Sequence, residues 1–421
     1  MRGGTKTVRV ELEGLAAGGD AVGHLDGRPL FVPFGAPGDV AEVRPAPESR
    51  GPRRAGIERI LVPGPGRREP CCPLFGRCGG CQWLHLDEGV QRTAKEAVLG
   101  RALGLDRVPV EPSPRALGYR GRARLQVRVG KGGAVRLGFL RQRSNEVIDL
   151  GSCPILAPGI ERCLDPLRSG PLPHLAGRAE LQLADGIDGP LAAIVPAGDA
   201  RPELYDEARR LVPGTLAGIA VEVGGVASGV IGSGEARVLA GDGEPLLIPA
   251  SSFGQANPEI NRSLACTVAE WAGRIGAQGA IELFAGAGNL TVMLGRFVKR
   301  LTAVEIDPAA CAAARENLAR RGLDRVHVVA GDAGARFAAD GAKAELVVLD
   351  PPRAGAGELI GLIAATRPEH VIHVSCNPAA LRREAAELAA AGYRVLEARG
   401  FDMFPQTPHV EAAVLFGRDR E

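Results

Sequence analysis

The chain has no apolar run near the roughly 20 residues that span a bilayer, so a membrane protein is not expected. The opening Met1-Arg2-Gly3-Gly4 is neither a signal peptide nor an anchor, and a cytoplasmic protein with no membrane partner is expected. Lysine is nearly missing: five residues of 421, so the 51 positive charges are almost all arginine. Acid is missing where it matters most. Between Arg115 and Arg143 there are nine cations and no carboxylate, which leaves 42 positive against 49 negative charges elsewhere. That local imbalance, hidden by a net charge of +2, points to a polyanion as partner. Nine cysteines in so long a chain with no export signal suit metal ligation or catalysis better than disulfides.

At this length one core no longer suffices, and two or three domains are expected. Up to about Pro63, short β-like runs (Thr7 to Leu12, Leu30 to Pro33, Asp39 to Val43) alternate with Gly and Pro and suggest a small barrel. The Pro- and Arg-rich stretch from about Arg44 to Gly56 leaves its last strand unplaced. Pro63 to Arg68 reads as a linker, Asp87 to Leu103 as a helix, and Arg120 to Val129 as a strand. In that strand Arg122, Arg124, Gln126 and Arg128 share one face, which a phosphate backbone would fit. The region Glu180 to Val195 shows no sustained period. From about Ser251 strands and helices alternate, the pattern of a parallel sheet covered on both faces.

Three cysteines, Cys72, Cys78 and Cys81, form a C-x5-C-x2-C cluster, and Cys153, in Ser152-Cys153-Pro154, supplies a fourth thiol after the basic strands. Four thiolates can hold zinc or an iron–sulfur cluster, and three clustered cysteines with one distant Cys-Pro suit a cubane better. Cys71 competes with Cys72 for the first position.

In the last third, the strand Ala280 to Phe284 runs into Ala285-Gly286-Ala287-Gly288-Asn289, and a helix is predicted over Leu290 to Val298. The next strand ends on Glu305, about twenty residues after the glycines, where an acid can accept both hydroxyls of a ribose. The third glycine of a dinucleotide site is missing, which favours S-adenosylmethionine, a nucleoside without phosphates. Asp332 and Asp350 close two further strands, and either could equally be a helix cap. Cys376 ends the strand Val371 to Val374, the place where open α/β sheets put ligands, and is a candidate nucleophile, although a buried inert thiol is the commoner case.

Asp350-Pro351-Pro352-Arg353-Ala354-Gly355, Val374-Ser375-Cys376-Asn377-Pro378 and Asp402 to Glu411 together resemble the RNA uracil-C5 methyltransferases. Phe253-Gly254-Gln255-Ala256-Asn257 is similar to the start of that family's catalytic domain, and Gly35 to Val40 to its TRAM module. The resemblance implies an α/β fold: a class I, Rossmann-like methyltransferase domain over 251–421, an OB-like TRAM β-barrel over 1–63, and a central α+β RNA-binding domain over 64–250 with a [4Fe-4S] cluster on Cys72, Cys78, Cys81 and Cys153. It also implies an enzyme using S-adenosylmethionine, with Cys376 adding to carbon 6 of uracil and Glu411 removing the carbon 5 proton. Gln255, Phe284, Asn289, Glu305, Asp332 and Asp350 take the cofactor contacts by the same matching. The expected substrate is 23S ribosomal RNA, with transfer RNA the alternative, and the expected state is a monomer. Cys163 falls outside the catalytic half, and Cys266 and Cys311 are expected on core-facing sides of helices.

Overall fold

Val8-Arg9-Val10-Glu11-Leu12 alternates apolar and charged side chains, and in a computed structural model, which describes residues 7–47, 51–198, 200–224, 226–340 and 344–418, Val10 and Leu12 point inward. They belong to β1 (Val8–Leu15), which joins β2 (Ala21–Leu25), β3 (Arg28–Val32), β4 (Val40–Pro45) and β5 (Ala55–Val62) in an antiparallel sheet ordered β3-β2-β1-β4-β5. The sheet curls until its edges meet, where Phe31 donates its N–H to the carbonyl of Arg53, just ahead of β5. Closure of this kind removes free strand edges. Asp39, fully buried, accepts from the N–H groups of Ala36 and Gly64 and from Arg67, and so fastens the barrel to the chain that follows.

Helix α1 (Glu88–Leu103) begins where Asp87 accepts from the Val90 N–H and ends at left-handed Gly104. After β6 (Val110–Glu111) come β7 (Arg122–Val129), β8 (Val135–Gly138), α2 (Pro158–Ser169), β9 (Arg178–Ala184), β10 (Leu191–Pro196), α3 (Pro202–Leu211), β11 (Gly218–Val223) and β12 (Val226–Gly232). Their sheet runs β12-β11-β10-β9-β7-β8, and its apolar face packs Leu125, Val127 and Leu181 with Ile160, Leu164 and Leu167 of α2. The stretch without a legible period is β9 and β10, paired antiparallel. Leu191 to Ile194 are all buried, and a strand covered on both faces shows no alternation.

A ribbon of β13 (Glu235–Leu239) and β14 (Pro245–Pro249) precedes the last layer. That layer comprises α4 (Pro258–Ile275), β15 (Gly279–Leu283), α5 (Thr291–Leu294), β16 (Arg300–Glu305), α6 (Pro308–Ala319), β17 (His327–Ala330), α7 (Ala333–Asp340), β18 (Leu346–Leu349), α8 (Leu359–Thr366), β19 (His370–Ser375), α9 (Pro378–Ala390), β20 (Tyr393–Phe401) and β21 (Glu411–Arg418). The sheet order is β17-β16-β15-β18-β19-β21-β20-β6, with β15 to β19 parallel and β21 inserted antiparallel between β19 and β20. Succession reverses between β15 and β18, and a crevice opens at the carboxyl ends of strands at such a point. Helix α5 is shorter than the sequence predicts: it stops at Leu294, and Gly295 follows.

The loop that leads into β21 is held from outside its own layer. Lys95 of α1 is fully buried with its Nζ 2.5 Å from the Asp402 carboxylate and 3.1 Å from the Phe404 carbonyl. Tyr119 donates to the Pro405 carbonyl, and the buried Gln406 side chain accepts from Arg68 and Gln91. Lys95→Met leaves Asp402 without its cation, and the loss of one partner of a buried pair is expected to cost about 3–5 kcal/mol, checked by urea unfolding. Among the described residues no helix is long and apolar enough to cross a membrane.

Candidate functional site

At the reversal between β15 and β18 the side chains of Gln255, Asn261, Glu282, Phe284, Asn289 and Asp350 line one cavity. The turn beneath it needs its glycines: Gly286 and Gly288 have φ of 56° and 89°, in the left-handed region. Asn289 and Asn261 exchange hydrogen bonds of 2.9 Å in both directions, which fixes both amides at the cavity wall. Gly254 lies so close to β7 that a Cβ there would stand 2.0 Å from an Arg122 nitrogen, so the segment carrying Gln255 runs hard against the central sheet.

Four of the six residues predicted for the cofactor therefore meet: Gln255, Phe284, Asn289 and Asp350. Glu305 does not line the cavity, but it holds the turn from below, accepting from the N–H groups of Gly286, Ile306 and Asp307 at 2.8 Å each. Asp332 is exposed and accepts from the Ala335 N–H at 2.9 Å, the helix-cap alternative open in the sequence. Glu282 is the residue that sequence reading missed. Burial pushes its carboxyl up to about 8, and one of its oxygens has no partner. The signal was present: an acid inside a strand buried along its whole length.

Cys376 follows β19 directly and Glu411 opens β21; the register Ser375 to Ala412 sets the two side by side on adjacent strands. Asp350 follows β18, on the other side of β19. Burial, then the charges of Glu411 and Asp350, raise the Cys376 thiol to about 11. Burial also lifts Asp350 to about 7, a shift that Gln255 opposes through a hydrogen bond, and burial and Asp350 together hold Glu411 well above the usual carboxylate range. Two carboxyls and a thiol thus crowd one spot, and not all can ionise at neutral pH without a cation. The loop after Asp350 is pinned by Glu384, which accepts from the N–H groups of Ala356 and Gly357 and pairs with buried His373 at 2.8 Å. Asn377 caps α9 and donates to the Arg353 carbonyl, tying the Cys376 turn to that loop.

A second constellation lies in the central region. Cys72, Cys78, Cys81 and Cys153 line one cavity whose walls are Leu74, Phe75, Leu84, Phe139, Leu150 and Ile155. Cys71 is exposed and does not line it. Burial pushes Cys153 up to about 11 and Cys78 and Cys81 upward as well, with neighbouring thiols adding to the shift. Among the described residues no group of three His, Cys, Asp or Glu side chains is arranged to hold a single metal ion. Directly after Cys81, the N–H groups of Gln82 and Trp83 both donate to the Gln406 carbonyl, five residues before Glu411.

Two expectations need correction. Arg122, read as part of a phosphate-facing row, is half-buried and donates to the carbonyls of Pro249 and Ala250, so it braces the central sheet against the β13–β14 ribbon. Cys266 faces outward from α4, whereas Cys311 and Cys163 are buried.

Residues 247–419 match the family described as tRNA (Uracil-5-)-methyltransferase, and residues 2–44 match the TRAM domain. A protein of Klebsiella pneumoniae named 23S rRNA (uracil(1939)-C(5))-methyltransferase RlmD is 34% identical over 433 residues, covering 98% of this chain and 96% of its own. Its namesake in Aeromonas salmonicida is 31% identical over 94% of this chain and 93% of its own. The crystal structure of the Pyrococcus abyssi tRNA (uracil-54, C5)-methyltransferase in complex with S-adenosyl-L-homocysteine shares the fold, with a TM-score of 0.76 at 23% identity over 97% of this chain and all of that one. Likeness at this level over nearly the whole length, on a chain whose sheet order opens a crevice between β15 and β18, means that this protein belongs to the RNA uracil-C5 methyltransferase family.

Proposed function

We propose that this protein methylates carbon 5 of a uridine in 23S ribosomal RNA in the cytoplasm, with S-adenosylmethionine as methyl donor, Cys376 as nucleophile and Glu411 as base. The observation that carries the reading is the meeting of Cys376 and Glu411 across the β19–β21 register, beside Asp350 and the cavity of the glycine turn. Carbon 5 of uracil is a poor nucleophile. Addition of the Cys376 sulfur at carbon 6 makes an enolate whose carbon 5 is electron-rich. Once carbon 5 carries the methyl, Glu411 takes its proton, the bond to sulfur breaks, and the thiolate leaves. A stacked or paired uridine must leave its helix to reach a thiol this enclosed.

S-adenosylmethionine supplies a methyl on a sulfonium and also carries an ammonium. The residues present fit it: buried Glu282 has an unpartnered oxygen at the cavity, and Asp350 lines the same wall. A ligand bearing two cations would let these carboxylates ionise. Gln255, Phe284 and Asn289 would hold it from the remaining walls, and Glu305 would act at the rim.

We assign the four-cysteine cavity to a [4Fe-4S] cluster. Three clustered cysteines with one distant Cys-Pro suit a cubane better than the paired C-x2-C arms usual for zinc. A cubane takes each thiolate on a different iron, and Cys72, Cys78, Cys81 and Cys153 would supply the four from one largely apolar-walled cavity. The cluster would then stiffen the Cys81-Gln82-Trp83 segment that holds Gln406. Anaerobically purified protein is expected to contain iron and sulfide in equal amounts and to lose both in Cys153→Ser; stoichiometric zinc without iron would refute the assignment.

We propose a division into a barrel over 1–63, a central domain over 64–250 and a catalytic domain over 251–421; of the four sheets, the eight-stranded one of the catalytic domain also takes in β6 of the central stretch. Mapping 5-methyluridine in a deletion strain tests the substrate. Ribosomal RNA is expected to lose one or more such sites, and a loss confined to transfer RNA would overturn the choice.

A further inference from the structure

The register of the central sheet aligns three arginines that the sequence keeps apart. Arg128 of β7 stands opposite Arg136 of β8 on one side and opposite Arg178 of β9 on the other. Residues directly opposite in antiparallel strands share a face, so the three guanidinium groups form one row across three strands. Lys131, in the β7–β8 turn, joins them around a cavity whose other walls are apolar side chains and glycines and include no carboxylate. Acids on the neighbouring strands and turns pair with other arginines: Glu180 with Arg124 at 3.1 Å, Glu146 with Arg141 at 2.6 Å, and Asp149, which accepts from the Leu137 N–H, with Arg168 at 2.6 Å. Among the described residues none of the four cations is in an ion pair.

Like charges directly opposite on a sheet destabilise it. Further along the same face Glu180 lies two residues from Arg178, but it pairs with Arg124, so the row itself holds one sign where a merely solvated face would be expected to mix them. The row lies away from the crevice. Arg122 begins β7 against Gly254, and Arg128 is six residues further along, about 20 Å at ~3.3 Å per residue. The cavity is also lined by exposed Arg136, Lys131 and Arg178, so it is open to a large ligand.

We infer that Arg128, Lys131, Arg136 and Arg178 form a docking site for backbone phosphates of RNA that flanks the target uridine, remote from the reacting base. This rests on the RNA methyltransferase reading. The site holds phosphates without reading bases, so it supplies affinity and register, and chemistry remains with Cys376 and Glu411. It would engage only RNA extending beyond the target loop.

The test compares wild type with Arg136→Gln/Arg178→Gln, both exposed positions, on a short hairpin carrying the target uridine and on the same hairpin extended by a flanking duplex. Each lost phosphate contact flattens the slope of log affinity against log salt by about 0.7 to 0.9, the values for single strands and for a B-form duplex. The double variant is expected to lose about 2 from that slope on the long RNA, to raise its KM there with kcat retained, and to match wild type on the short one. Its melting temperature should hold or rise, because like charges have been removed. Should the double variant fail to fold, Lys131→Gln carries the same test with a change of about 1. An unchanged slope and KM on the long RNA overturns the inference, and so does an equal loss on both RNAs, which would place these arginines at the target itself. If wild type binds RNA but methylates neither substrate, the methyltransferase reading fails instead, while the binding slope still decides the row.

Discussion

Cys376→Ala is expected to lower methylation of a uridine-bearing RNA by at least about 10^4-fold, the scale on which removal of a catalytic nucleophile acts, with the fold intact. The covalent complex expected between wild type and RNA containing 5-fluorouridine in the presence of S-adenosylmethionine should vanish in this variant. Retained activity in Cys376→Ser would sink the nucleophilic mechanism. The thiol's own titration gives an independent check. Burial and the charges of Glu411 and Asp350 lift it to about 11, so only about one thiol in 10^4 is ionised at pH 7 in the free protein. Alkylation of Cys376 by iodoacetamide should then rise about tenfold per pH unit through the neutral range and level off only near pH 11. A plateau near pH 8 would show that the site favours the thiolate before any ligand arrives.

Glu411→Gln is expected to have the second largest effect, a loss of about 10^2 to 10^4 in turnover, as for removal of a general base. Its signature separates it from the cysteine variant. Addition and methyl transfer need no base at carbon 5, so the methylated RNA should remain joined to Cys376 and accumulate as a stable complex in denaturing gels. A variant that turns over slowly without such a complex would place Glu411 outside the elimination step. The charge effect has a defined sign: a nearby carboxylate raises the thiol, so its neutral replacement should lower the pH at which Cys376 alkylation levels off. The level should stay above that of a free cysteine, since burial, the larger cause, is unchanged.

Much of the catalytic layer was legible because its signals are local. Asn257-Pro258 starts α4, the glycine turn follows β15, and acids or a thiol end successive strands, all within short windows of sequence. Asp332 was equally visible but ambiguous: a cap and a ligand demand the same acid at the same turn, and the fold shows the cap, a hydrogen bond from the Ala335 N–H through one oxygen, which is compatible with either role. Glu282 was hidden by the opposite circumstance, since a single acid within an apolar strand reads as a blemish until the fold encloses it. The strands β9 and β10 were lost because burial on both faces erases the alternation that marks a strand.

The arginines show the same division most clearly. Composition marks residues 115–143 as basic, and alternation puts Arg122, Arg124 and Arg128 on one face. Their fates differ: Arg122 is half-buried as a brace between sheets, Arg124 is neutralised by Glu180, and Arg128 joins Arg136 and Arg178 in a row.

What the sequence determined by itself was which chemistry the chain can perform, because the thiol, the acids, the glycine turn and the cysteine spacing are each short-range patterns tied to residue type. What only the tertiary structure decided was which groups act together. Cys376 meets Glu411, Cys81 is joined to the catalytic loop through Gln406, and Arg178 stands beside Arg128 only because strand order and register bring distant residues together, and register is set by the burial of whole faces rather than by any single residue.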